Sequence, residues 1–264
     1  MAFWACRWRC MHNFLCMKIL AALLSLTLTA SAELSDKELD SIGHRVWQNE
    51  CAGTRDGLTS WNAGENFASL GIGHFIWYPR GVNGPFEESF PKLIKYLEAG
   101  GASVPGWAHG DCPWNTKAEF QKEFQSERTR ELRNLMASTI RLQSRFLAER
   151  MEQALPKMLE AAPAAKRDRV KANFNRLRGS GAGTFALIDY VNFKGEGTNP
   201  AERYKGEGWG LLDVLMSMEP GGGAGAFAQG ASEVLERRVR NSPPERNESR
   251  WLPGWKARVR AYAG

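Results

Sequence analysis

Four side chains of the types that exchange protons at oxygen, Glu50, Glu65, Ser69 and His74, fall within one polar, glycine-rich stretch from Glu50 to Tyr78. Glu50 lies one helical turn past Val46, and Gly53 follows as a stop signal. A carboxyl at a helix C-terminus faces the negative end of the macrodipole, which disfavours its charged form, and partial burial beside Trp47 acts in the same direction. A carboxyl so placed is suited to protonate a leaving oxygen, as a glycosidic general acid does. The element that must position it is a helix opened by the capping box Ser35-Asp36-Lys37-Glu38, with Leu39, Ile42 and Val46 at helical spacing. The remaining groups need a short hairpin that folds back over the end of that helix.

Helix, glutamate and a hairpin carrying Ser69-Leu70-Gly71-Ile72-Gly73-His74-Phe75 resemble the catalytic core of the phage-type lysozymes. The resemblance implies an α+β, mainly helical fold, with a small β-hairpin lobe, a larger helical lobe and a cleft for peptidoglycan glycan strands. Carried over, Glu50 matches the general acid, Ser69 the hairpin threonine, and Gly71, Gly73 and His74 the Gly-x-Gly-His run. The family's hairpin aspartate falls on Ala63 here. Period-2 alternation puts Ala63 and Glu65 on one strand face, which makes Glu65 the expected second carboxylate, with Asn62 and Asp56 as alternatives. His74 reads as a strand residue between apolar neighbours, and Gly71 and Gly73 as points of close backbone approach. Trp61, His74 and Asn192 are the candidate substrate contacts. The Ala186-Leu187-Ile188-Asp189-Tyr190-Val191 run and the closing Arg258-Val259-Arg260 extend the resemblance loosely into the C-terminal half. Without a second carboxylate, the same acid suits a lytic transglycosylase, and a wall-binding protein without turnover is a third possibility.

The start of the chain reads as a leader. Met17-Lys18-Ile19, an apolar run to Leu28 and Ala30-Ser31-Ala32 form a signal pattern with cleavage before Glu33, so residues 1–32 are set apart and the true start is placed at Met17. Export to the periplasm or beyond follows from that pattern. The net charge is +6 over the full sequence, and loss of Arg7, Arg9 and Lys18 leaves about +3, which suits an anionic wall polymer and calls for no nucleic acid. Of the ten tryptophans, Trp4 and Trp8 lie in the leader. The others serve as packing residues and, in part, as flat faces for carbohydrate. With Cys6, Cys10 and Cys16 in the leader, Cys51 and Cys112 remain, and two cysteines in an exported chain suggest one disulfide. Two free thiols, or Cys51 as a nucleophile, are the alternatives. No His-Glu-x-x-His or clustered Cys/His is present, so neither a metal nor a cofactor is expected.

Beyond the lobe at 33–84, a region at 85–178 reads as largely helical. It has a helix opening at Pro85, a capping box at Thr116-Lys117-Ala118-Glu119, a long periodic run from Leu132 to Leu159 and a basic amphipathic helix from Lys166 to Leu177. The third segment, 179–264, opens on Gly179-Ser180-Gly181-Ala182-Gly183 as a hinge-like loop. A helix apolar nearly all round follows, and further helices extend to the end of a chain expected to be monomeric.

Overall fold

The first helix, α1 (Asp36–Cys51), is set by its caps. The Ser35 hydroxyl accepts from the Glu38 N–H, and the Glu38 carboxylate accepts from the Ser35 N–H at 2.9 Å. Its apolar stripe of Leu39, Ile42 and Val46 is buried, and Gly43 sits where a Cβ would lie 2.3 Å from Ser144 Oγ, so the glycine permits the close crossing of a later helix. Ala52 ends the helix in the left-handed region at φ 51°, its N–H donating to the Trp47 carbonyl. Glu50 is thereby held in the last turn.

The structure is a computed structural model that describes residues 34–264, and these form one compact unit. The leader and its cleavage site lie outside the described residues. The fold is mainly helical, with a small antiparallel sheet. No helix among the described residues is long and apolar enough to cross a membrane, and no described cluster of His, Cys, Asp or Glu could hold a metal ion.

Three short antiparallel strands, β1 (Thr59–Ser60), β2 (Ala68–Leu70) and β3 (Phe75–Trp77), follow α1 with β2 in the centre. Thr59 pairs with Leu70, and Leu70 in turn with Phe75. The connection between β1 and β2 is a loop, so Ala63 and Glu65 do not share a strand face as the alternation predicts. Nor is His74 a strand residue. Residues 71–74 form the turn into β3, with Gly71 at φ 69° and His74 at φ 49°. After β3 the chain runs in a loop, and α2 (Phe90–Ala99) begins later than the proline predicts, once Ser89 has paired with Ile76.

The long periodic run divides in two. Helix α4 (Glu127–Ser138), preceded by the short α3 (Lys117–Lys122), ends where the Thr139 hydroxyl turns back to the Leu135 carbonyl, and α5 (Ile140–Ala161) begins at once. Helix α5 packs against α1, α2, α6 (Arg167–Arg178) and α7 (Gly181–Lys194). The glycine run read as a hinge is the opening of α7. Ser180 caps it, and Gly183 packs so tightly that a Cβ would lie 2.2 Å from the Leu177 carbonyl oxygen. Every residue from Gly183 to Tyr190 is buried, as the all-round apolar pattern predicts. A two-stranded hairpin, β4 (Arg203–Tyr204) and β5 (Glu207–Gly208), then α8 (Leu211–Ser217), α9 (Ala224–Asn241) and α10 (Leu252–Arg260) complete the fold.

Cys51 and Cys112 are both free and buried in this structure, the alternative to the expected disulfide. Cys51 Sγ faces the Gly71 carbonyl at 3.6 Å and Cys112 Sγ the Trp114 carbonyl at 3.4 Å. Burial raises both to about 12, which disfavours the thiolate that a nucleophilic Cys51 would need.

Candidate active site

The end of α1, the β-sheet and the end of α7 meet around a cavity of about 290 Å³ whose walls include Glu50, Glu65, Ser69, His74, Asn192 and Phe86. These come from widely separated parts of the chain.

Glu50 is met by a cation. Arg258, on α10, places Nη2 2.5 Å from Glu50 Oε1, and Asn192 Nδ2 donates to the same oxygen at 3.1 Å. The guanidinium also forks onto Asp189, with Nε to Oδ2 and Nη2 to Oδ1 both at 2.8 Å. Asp189 is wholly buried on the apolar α7, and it further accepts from Asn49 Nδ2 at 3.1 Å and from the Tyr262 hydroxyl. Burial opposes the charge on Arg258, but Asp189 and Glu50 outweigh it and hold the guanidinium charged well above its ordinary range. The expected neighbour Trp47 turns elsewhere, its Nε1 donating to the Thr54 carbonyl at 2.9 Å. The second carboxyl oxygen of Glu50, Oε2, has His74 Nδ1 at 3.5 Å, beyond a well-formed hydrogen bond. Oε1 is therefore the anchored oxygen, and Oε2 the less tightly held one.

Glu65 and Ser69 form a second group in the same cavity. Glu65 Oε2 accepts from Asn62 Nδ2 at 3.0 Å and from Ser69 Oγ at 3.3 Å. Ser69 is fixed by its place on the central strand, opposite Ser60 on one side and Ile76 on the other. Trp61 does not line the cavity. It is 6% exposed, packs on Phe120 with ring centroids 6.1 Å apart, and donates Nε1 to the Glu65 carbonyl at 2.8 Å. Its place is therefore to hold the Glu65 backbone, and it offers no open face to a ligand.

The turn that carries His74 is read by a side chain from a distant helix. Gln143, fully buried on α5, accepts from the Ile72 N–H at 2.9 Å and donates to the Met136 carbonyl at 2.6 Å and to Thr139 Oγ1 at 3.0 Å. A Cβ on Gly71 would lie 2.5 Å from Gln143 Oε1, and one on Gly73 would lie 3.2 Å from Asn192 Oδ1. Close approach at both glycines is thus real, and what approaches is the helical body of the protein itself.

Sequence reasoning brought Glu50, Glu65, Ser69, His74 and Asn192 to one place and misplaced Trp61. It missed Arg258 as a partner of Glu50, and it missed Phe67, Phe86 and Phe193 as walls. One signal was available. An aspartate inside the apolar run Phe185 to Val191 needs a buried cation, because an unpaired charge there would be costly. Which of the many basic residues supplies it is decided by the crossing of α10. No protein-family model, curated protein or solved structure matches this chain.

Proposed function

We propose that this protein is an exported, lysozyme-like glycosidase that cleaves the glycan strands of peptidoglycan with Glu50 as general acid. The observation that carries the reading is the pairing, in one cavity, of a carboxyl anchored by one oxygen with a separate Glu65–Ser69 group. Arg258 and Asn192 fix Glu50 by Oε1, so Oε2 is the oxygen that takes up a proton from solvent and passes it to the glycosidic oxygen. Glu65, with Ser69 and Asn62 donating to it, stabilises the positive charge that develops on the sugar, or orients the attacking water. A helix-end glutamate facing a three-stranded hairpin, with a larger helical body behind, is also the arrangement that the lysozyme resemblance implies.

The test is digestion of murein by wild type and by Glu50→Gln, with the products read by mass spectrometry. Glu50→Gln keeps the hydrogen-bonding shape and removes the transferable proton, so cleavage should fall about 100-fold or more while the fold survives. New reducing ends identify hydrolysis, anhydro ends a transglycosylase that uses the sugar's own hydroxyl, and intact strands a wall-binding protein without turnover. Cleavage by Glu50→Gln at the wild-type rate would overturn the assignment.

A further inference from the structure

We infer that Phe86 is a stacking platform for an uncharged pyranose ring, which sets where a glycan lies in the cavity. This deepens the glycan reading above and rests on it. Among the described residues, the large apolar side chains most exposed are Phe86, at 51%, and Trp251, at 39%, and Phe86 is the one that borders the cavity holding Glu50. An exposed ring on a surface loop ordinarily needs no explanation. This one is held in place by a series of specific contacts.

Its own N–H donates to the Tyr78 hydroxyl at 3.4 Å. Two residues further on, Glu88 Oε1 accepts from the Tyr78 N–H at 2.8 Å, and Ser89 bonds Ile76 through both backbone and side chain. The loop can close over Tyr78 because residue 84 is glycine, where a Cβ would lie 2.2 Å from the Tyr78 hydroxyl oxygen. Phe67 meets Phe86 edge-on with ring centroids 6.0 Å apart, and meets Tyr78 likewise at 5.3 Å. The loop therefore ties the exposed ring to strand β3, so its position is fixed before any ligand arrives.

The walls around it are of two kinds. Phe67, Ile76 and Phe86 are apolar, while Glu50, Glu65 and Ser69 are polar. A pyranose matches such a lining, with C–H faces that pack on an aromatic ring and a rim of hydroxyls that bond polar groups. Among the described residues, no Lys or Arg lines the cavity, although two glutamates do. Arg258 is engaged behind the wall by Glu50 and Asp189. A sugar bearing a free carboxylate would meet like charge from Glu65, whereas a neutral sugar would not.

The test uses Glu50→Gln, which should bind without turnover, with N-acetylchitotetraose as the neutral probe and peptide-free murein glycan with free lactyl carboxylates as the anionic one. Adding Phe86→Ala should weaken chitotetraose binding about tenfold by calorimetry, a loss of about 1.4 kcal/mol. Phe86→Trp should restore it, and the anionic glycan should bind more weakly than the neutral one throughout. Phe86→Ala with unchanged affinity overturns the platform, as does tighter binding of the anionic glycan. Failure here is distinct from failure of the catalytic reading. A wild type that cleaves murein while Phe86→Ala keeps the same KM sinks the platform alone. A wild type that cleaves nothing, but binds chitotetraose through Phe86, upholds the platform without the chemistry.

Discussion

Arg258 Nη2 lies 2.5 Å from Glu50 Oε1 although 208 residues separate them, and the same guanidinium holds both oxygens of Asp189. One cation from the last helix thus ties the end of the first helix to the central one. Removing it strands two carboxylates, of which Asp189 is wholly buried. Arg258→Met should therefore cost about 3–5 kcal/mol, as the breaking of buried ion pairs generally does. Arg258→Lys keeps the charge but loses the two-pronged contact with Asp189, so its loss should be smaller. Urea denaturation of the two variants checks this, and an Arg258→Met protein as stable as wild type would show that the network contributes nothing.

Glu65→Gln separates the chemical alternatives. If Glu65 acts as a charged second carboxylate, its amide variant should lose nearly as much turnover as Glu50→Gln, about 100-fold. Loss of only a few-fold, with anhydro ends as the sole products, would assign the reaction to transglycosylation and leave Glu65 as a hydrogen-bond partner of Ser69.

The turn between β2 and β3 depends on Gly71 and Gln143 together. Alanine at position 71 must adopt φ 69° and displace the Gln143 amide, so Gly71→Ala should lose about 2 kcal/mol or more. Gln143→Leu leaves the Ile72 N–H without its acceptor in a buried place and should cost about 1–3 kcal/mol. Thermal unfolding followed by circular dichroism measures both. Wild-type melting of either variant would mean that this contact does not define the turn.

Lys194 gives the protein a definite pH dependence. Its Nζ lies 3.6 Å from the Trp255 ring centroid and 3.9 Å from that of Phe193. Burial, then Arg238 and Arg258, lowers its ammonium to about 6. In the unfolded chain the same group titrates near about 10.4. Across that window the unfolded chain binds a proton that the folded one lacks, so this residue's contribution to stability rises with pH and is worst near and below the lower value. Lys194→Met should be more stable than wild type near pH 6, with the advantage shrinking towards about pH 10. Urea midpoints of the two proteins across that range supply the test, and a difference independent of pH would show that the lysine titrates normally.

Much of the fold was legible because its signals are local. The box at Ser35 and Glu38 satisfies helix-end groups within a few residues, and the all-apolar run of α7 can only be buried, whatever covers it. Misreadings arose where a local pattern had two physical meanings. Gly181 and Gly183 read as part of a hinge-like loop, but they open α7, and Gly183 has no room for a Cβ because the Leu177 backbone packs against it. His74 read as a strand residue, but its backbone is left-handed because the turn closes there. Trp61 read as a flat sugar-binding face, but Phe120 covers it. Cysteine counting gave a pair and no distance, and in the fold each free thiol faces a different carbonyl.

By itself, the sequence determined the order of helices and hairpin, the end of α1 as the place for Glu50, and the nearness of Glu65, Ser69 and His74 to it, because all of these are set by caps, spacing and turn residues within a few tens of positions. Tertiary structure alone decided that Arg258 anchors one oxygen of Glu50, that Gln143 holds the His74 turn, and that Phe86 stands at the edge of the cavity. Those contacts join elements whose approach depends on how the whole core packs, and no local spacing encodes which distant side chain will be brought to a buried charge or an unpaired N–H.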